Sequence, residues 1–342
     1  MTTSERLQRA RRGAQYSGDP PSLDAVARRM RIRAAQKSVG LVCLAIMAFS
    51  LTMDIAATAI IAMLRFSGIA IPVWLSISIG DAAEILLGLP LAIWIMSPLK
   101  PMVAQRSTLH AKQFLGFFSV AMVAYVIGTF ASAAFSFILP TARNAETELM
   151  EQNPLFILAG TVILAPIIEE WVFRKQVISR LERFGQVPAI LTSSLLFALM
   201  HQNLFQLVHA FVCGLVLGYV YVRTHRLIYT IALHMTLNFF GSLGLPYATS
   251  YLESGSNSFV TYAIWTVFGL LAVAVIVGVV LIIRNARSLH FDQMPEQIPP
   301  RTMGSVLFGN AGMILFLIVT ALLTAASLTG LGNIVQLLLS HG

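Results

Sequence analysis

Apolar residues fall along the chain in nine runs separated by short polar breaks. The runs cover roughly 38–64, 72–97, 113–139, 154–174, 187–203, 204–223, 226–245, 258–283 and 305–328. Each is long and unbroken, without the ten-residue alternation of barrel strands. A bilayer leaves helices or closed barrels as the only spanning structures, so these runs predict membrane helices. The fold class expected is all-α, a polytopic membrane bundle with about eight to nine transmembrane helices. An eight-span version leaves one run re-entrant or interfacial. The end, 331–340, reads as a short interfacial helix.

Composition agrees with the pattern. The chain of 342 residues is 57% hydrophobic and 11% charged, with mean hydropathy +0.77. A soluble domain carries about 25% charged residues. The net charge of +8 is placed as a membrane protein places it. Nine Lys/Arg lie in 1–37, from Arg6, Arg9, Arg11 and Arg12 to Arg28, Arg29, Arg31, Arg33 and Lys37. All the others except Arg65 and Arg143 fall in or beside the connections 98–112, 175–186, 224–225 and 284–304. The positive-inside rule then predicts an inside N-terminus and, with nine spans, an outside C-terminus. A basic tail of this kind suits an anionic membrane face. No nucleic-acid partner is expected, because no recognition fold or aromatic interleaving accompanies the charge. The protein is expected in the cell (plasma) membrane with its N-terminus in the cytoplasm. No secretory signal peptide is read before the first run. Cys43 and Cys213 sit in apolar runs and read as buried thiols; no CxxC is present.

Ionisable groups are costly in hydrocarbon and concentrate at functional sites. Glu169 and Glu170 interrupt the run PLFILAGTVILAPIIEEWVF, and Arg174 follows one turn after Glu170, where the two share a helix face. Phe197 and His201 form FxxxH, and His234 and Asn238 form HxxxN, each pair one turn apart. An interfacial ion pair, a packing histidine and interhelical hydrogen bonding are the plain alternatives for these three motifs. Helix rise puts Glu169 roughly 22 Å from Pro154, His201 roughly 21 Å from Val187, and His234 and Asn238 roughly 12 and 18 Å from Arg226. Three helices of alternating direction therefore bring these groups to one depth. His209 and His225 lie outside the motifs. Gly214 and Gly218 form GxxxG, a close-packing signal.

EExxxR, FxxxH and HxxxN in this order on successive membrane helices resemble the CAAX-protease and bacteriocin-processing (CPBP, or Abi) family of intramembrane endopeptidases. The resemblance covers roughly 154–245. It implies that Glu169 activates a water as general base, that His201 helps to hold that water, and that His234 and Asn238 stabilise the oxyanion. Glu170 and Arg174 would support the site, with Phe197 beside it. The family is often called metalloprotease. A zinc ion, if used, would take Glu169, His201 and His234; a metal-free mechanism is preferred, because Asn238 is a poor zinc ligand and a natural donor. The substrate implied is a membrane-bound or lipidated peptide.

The organisation expected is a basic cytoplasmic tail over 1–37, N-terminal membrane helices over 38–139, a catalytic core over 154–245 and C-terminal membrane helices over 258–342. The site is expected to open toward the inside. Asp54, Asp81 and Glu84 support a different reading, a proton- or ion-coupled transporter, or else packing bonds or a vestibule. A catalytically inactive membrane scaffold is a third reading.

Overall fold

A computed structural model describes residues 23–142, 144, 151–255 and 257–329. The four arginines Arg6 to Arg12 and the helix expected over 331–340 lie outside the described residues. The described chain is helical, with no strand among its elements. Nine helices correspond to the nine apolar runs. They are α1 Leu23–Phe66, α2 Val73–Met96, α3 Ala111–Ile138, α4 Pro154–Phe184, α5 Gln186–Met200, α6 Leu204–Thr224, α7 Leu227–Ser254, α8 Ser258–Asn285 and α9 Ala311–Thr329. Eight of them are long and apolar enough to cross a membrane; α5 is the exception. Its 15 residues rise only about 22 Å.

Two boundaries differ from the expectation. The tail over 1–37 is not separate from the first span, because α1 starts at Leu23 and runs for 44 residues. Ala and Arg, which dominate the stretch from Ala25 to Ala35, are strong helix formers and simply extend the helix. Likewise α4 continues to Phe184, ten residues beyond the end of its apolar run, because its polar C-terminal part is buried rather than solvated: Arg174, Ser179, Arg180 and Glu182 are all under 9% exposed.

α4 carries one π-type stretch over Trp171–Ile178, and α2, α4 and α7 each carry a π-type turn that a proline follows. These turns are Glu84–Gly88 before Pro90, Leu158–Leu164 before Pro166 and Phe240–Gly244 before Pro246. Proline lacks the N–H of the helical ladder and its ring crowds the carbonyl four residues back. Widening the turn relieves the crowding, and such bulges are common near functional sites. In α4 the N–H of Ala165 reaches back five residues to the carbonyl of Gly160. The next carbonyl, that of Thr161, would need the N–H of residue 166, which proline does not have. It is left for a side chain.

The basic connections meet on one face. Met102 N–H donates to Ser179 O, Ser107 N–H to Thr224 O (2.9 Å) and Leu109 N–H to the Tyr229 hydroxyl (3.0 Å). Glu182, 1% exposed, receives His225 Nε2 at 3.0 Å. His225 thus works at this face and not at the candidate site. The segment after α8 docks there too, through Gln186 on Asp292 and Ile298 N–H on Phe184 O. On this basic face the ends of α4 to α7 are covered by two straps, 98–110 and 288–299.

The core runs between α1, α4, α5 and α9, with Ile46, Phe49, Phe173, Ile178, Leu196 and Phe316 all within 1% of full burial. α3 lies along α6 and α8. The GxxxG reading holds: a Cβ on Gly214 would come 3.0 Å from Ser194 Cβ, and one on Gly218 3.0 Å from Ile190. α6 therefore lies directly against α5, as their three-residue connection requires. Cys43 and Cys213 are free and buried.

Candidate active site

Adjacent residues on a helix point about 100° apart, so Glu169 and Glu170 face different surroundings. Glu170 turns into the bundle and is fully buried. Its Oε2 lies 3.0 Å from Arg174 Nε, also fully buried, and its Oε1 lies 3.0 Å from His234 Nδ1 on α7. The Arg174 guanidinium donates from Nη1 to Ser193 Oγ (3.2 Å), and Ser193 in turn donates to the carbonyl of Phe173 (2.8 Å). Glu169 turns the other way, 18% exposed, with Oε2 3.5 Å from His234 Nε2. His234 bridges the two carboxylates.

Phe197 is the packing centre of the cluster. Its ring meets those of His201, His234 and Phe173 edge-on at centroid distances of 4.9, 5.6 and 5.2 Å, and Arg174 Cζ sits 5.2 Å from its centre. A cation over an aromatic face is favourable, more so when desolvated.

His201 follows the last residue of α5. Its Nδ1 is 2.7 Å from the carbonyl of Phe197. A carbonyl only accepts, so Nδ1 carries the hydrogen and neutral His201 presents Nε2 as an acceptor. The next residue, Gln202, has a left-handed backbone (φ 50°), uncommon for a side-chain-bearing residue. Two bonds hold it there: Nε2 donates to Ser50 Oγ (2.9 Å) and to Asp54 Oδ2 (2.8 Å), both on α1. Asn203 caps α6 by accepting from Phe205 N–H, and donates to Asn144 at 3.1 Å.

On α7, Asn238 donates from Nδ2 to the carbonyl of Thr161 at 2.9 Å. This is the carbonyl that Pro166 leaves without a ladder partner. An amide nitrogen carries two hydrogens, so one N–H of Asn238 remains for another acceptor.

Glu169, His201, His234 and Asn238 all line one cavity of about 690 Å³. Asp81 and Glu84 of α2 line it too, and His209 with Tyr125 forms part of its wall. The acids that favoured a transporter are therefore vestibule residues (Asp81, Glu84) or a hydrogen-bonding anchor (Asp54). The cavity extends away from the basic face, on which the opening was expected. Short loops at that face invited the expectation, but they fold back and cover the helix ends.

Among the described residues, no three His, Cys, Asp or Glu side chains gather closely enough to hold a metal ion. Glu169, His201 and His234 as placed do not form such a cluster.

Sequence reasoning did not single out Ser193, Thr161 or Gln202. Ser193 was within reach, since 193, 197 and 201 repeat at one-turn spacing. The Thr161 carbonyl was signalled only by Pro166. Nothing in the chain marks Gln202 except its place beside His201.

Fold and site together define an integral membrane protein, helical over its described residues, with a carboxylate, two imidazoles and an amide around one cavity. Residues 151–240 match the family described as type II CAAX prenyl endopeptidase Rce1-like. The stretch that carries the whole cluster is thus the part of the chain similar to that family. A curated relative from Bacillus subtilis (strain 168), named "Putative membrane peptidase YdiL", is 31% identical over 116 residues, 33% of this chain and 47% of the relative. The chain thus spans about half the length of the curated relative it matches. No solved structure matches.

Proposed function

We propose that this protein is an intramembrane endopeptidase that hydrolyses a peptide bond in a membrane-bound or lipidated peptide. Residues 154–245 form its catalytic core, framed by the helices of 38–139 and 258–329. One observation carries the reading: Glu169 faces a cavity beside His234, while its neighbour Glu170 is locked beneath it by Arg174 and His234.

Glu169 is the general base. Its carboxylate takes a proton from a water that attacks the scissile carbonyl carbon, and the water oxygen forms the new C–O bond. His201 accepts a hydrogen of that water at Nε2 and orients it. Glu170 receives Nδ1–H of His234 and fixes the ring, and in the imidazolium form Nε2–H is the donor to the carbonyl oxygen as it becomes an oxyanion. The second N–H of Asn238 is the other donor. Collapse of the tetrahedral intermediate breaks the C–N bond, and Glu169 returns its proton to the leaving amine. Donors fixed before the charge develops need no reorganisation when it does.

The test is cleavage of a library of lipidated and transmembrane peptides by purified protein, with Glu169→Gln beside it. The swap keeps volume and hydrogen bonding and removes the base. General-base catalysis contributes about 10²–10⁴-fold, and a loss of that order is expected with the fold intact. Undiminished cleavage by the variant would defeat the mechanism. Ion or solute flux that depends on Asp81 or Glu84, with no proteolysis, would establish the transporter instead.

A further inference from the structure

The cavity is one-sided. Each helix that lines it contributes only the part remote from the basic face. α4 supplies Phe156 to Glu169 and nothing beyond; α3 supplies Tyr125 to Ser136 and nothing from its first turns. α2 gives Ile77 to Ile85 from its first half, and α6 gives Phe205 to Cys213 from its first half. α5 contributes Phe197 and the following His201 but no earlier residue, and α7 nothing before His234. Because these helices alternate in direction, a common remote half is a statement about depth.

The floor is closed. Below Glu169 lie the fully buried Glu170–Arg174 pair and the rings of Phe173 and Phe197. Below them, α4 runs ten more residues to Phe184, about 15 Å of helix. The straps 98–110 and 288–299 then bind across the helix ends. Lys100, Arg106, Arg183, Arg223, Arg226, Arg284 and Arg301 lie on this covered side, which the positive-inside rule makes cytoplasmic.

We infer that the site receives its peptide from the face opposite the basic loops, so that its substrate is a membrane-anchored or lipidated chain whose scissile segment is exposed on the extracytoplasmic side. The inference rests on the proteolytic reading for its substrate and on geometry alone for its direction. The opposite half of the cavity wall suits a peptide backbone. Thr129, Ser132 and Ser136 run along α3 at one-turn spacing; Thr129 and Ser136 donate to the carbonyls of Tyr125 and Ser132 and keep their oxygen lone pairs for the N–H groups of an extended chain.

The test uses the full-length protein with Cys43 and Cys213 replaced by alanine, in sealed right-side-out and inside-out vesicles. S132C probes the cavity and R106C marks the basic face. The probe is a membrane-impermeant, charged maleimide. S132C is expected to label in right-side-out vesicles and R106C in inside-out ones. Labelling of S132C from the same face as R106C would overturn the inference, and so would labelling from neither face. A gel-filtration profile matching the parent shows that each variant is folded. In a second arm, a fluorogenic peptide with one acyl chain is added outside right-side-out vesicles, with E169Q as control. Sidedness as stated but no E169-dependent cleavage of any peptide would remove the protease reading and leave the direction of access standing. Cleavage only in inside-out vesicles would do the reverse.

Discussion

Replacing Glu170 by glutamine separates support from chemistry at two neighbouring carboxylates. The substitution removes one buried charge and leaves its partner. Arg174 is fully buried, and its Nε faces Glu170 at 3.0 Å. With the carboxylate gone, the guanidinium keeps only Ser193 and the face of Phe197. Breaking a buried ion pair from one side costs about 3–5 kcal/mol, because a charge is left without compensation. His234 also loses its anionic acceptor, and the glutamine amide can turn an N–H toward Nδ1 instead. E170Q should therefore unfold at distinctly lower denaturant in a detergent–SDS titration and should cleave poorly. The double variant E170Q/R174M removes the stranded charge and fills the space with apolar atoms. Buried pairs replaced by apolar residues are often neutral or better, so most of the lost stability should return. Cleavage should not return, since His234 still lacks its anchor. E170Q as stable as the parent, or a double variant no more stable than E170Q, would refute this account of the pair.

Truncating either proposed oxyanion donor, in H234A or N238A, should lower kcat by about 10²–10³-fold, the usual cost of one such donor; steady-state kinetics on the best library peptide checks it. Q202A and Q202G should both reduce kcat with KM little changed, because each releases the turn after His201 from Ser50 and Asp54; glycine relieves the left-handed backbone, so full activity in Q202G would show that the anchors do not position His201. In G128A the new Cβ would lie 2.6 Å from His209 on α6, and such overpacking costs about 1–3 kcal/mol; an unchanged unfolding midpoint would contradict the close α3–α6 contact.

Much of this was legible in the chain because hydrocarbon makes polarity conspicuous. Nine apolar runs became nine helices, and the GxxxG of α6 met α5. Glu169, His201, His234 and Asn238 share a cavity, as their depths along separate helices required. What the chain did not show has a common cause. Runs of hydropathy do not record where a helix ends once its polar residues are buried, so α1 and α4 proved longer than their apolar parts. The same blindness bears on the expected opening, because short basic connections read as an entrance and fold as a cover. Asp54, Asp81 and Glu84 looked like a separate pathway only because periodicity on α1 and α2 cannot show which helices they face. The bond from Asn238 to Thr161 depends on a π-type turn, and the register change belongs to Pro166 together with its neighbours rather than to any single residue.

The closed floor has an electrical consequence. A water-filled cavity carries the potential of its own side down to Glu169, so the voltage across the membrane falls mainly across the sealed half. Each elementary charge moved through that drop is worth about 2.3 kcal/mol per 100 mV. Glu170 and Arg174 stand in this zone as opposite charges 3.0 Å apart, and together they present almost no net charge to the field. Removing Arg174 would leave the single charge of Glu170 there, bonded to the histidine that serves the site, and would make the geometry of the cluster depend on the energised state of the membrane.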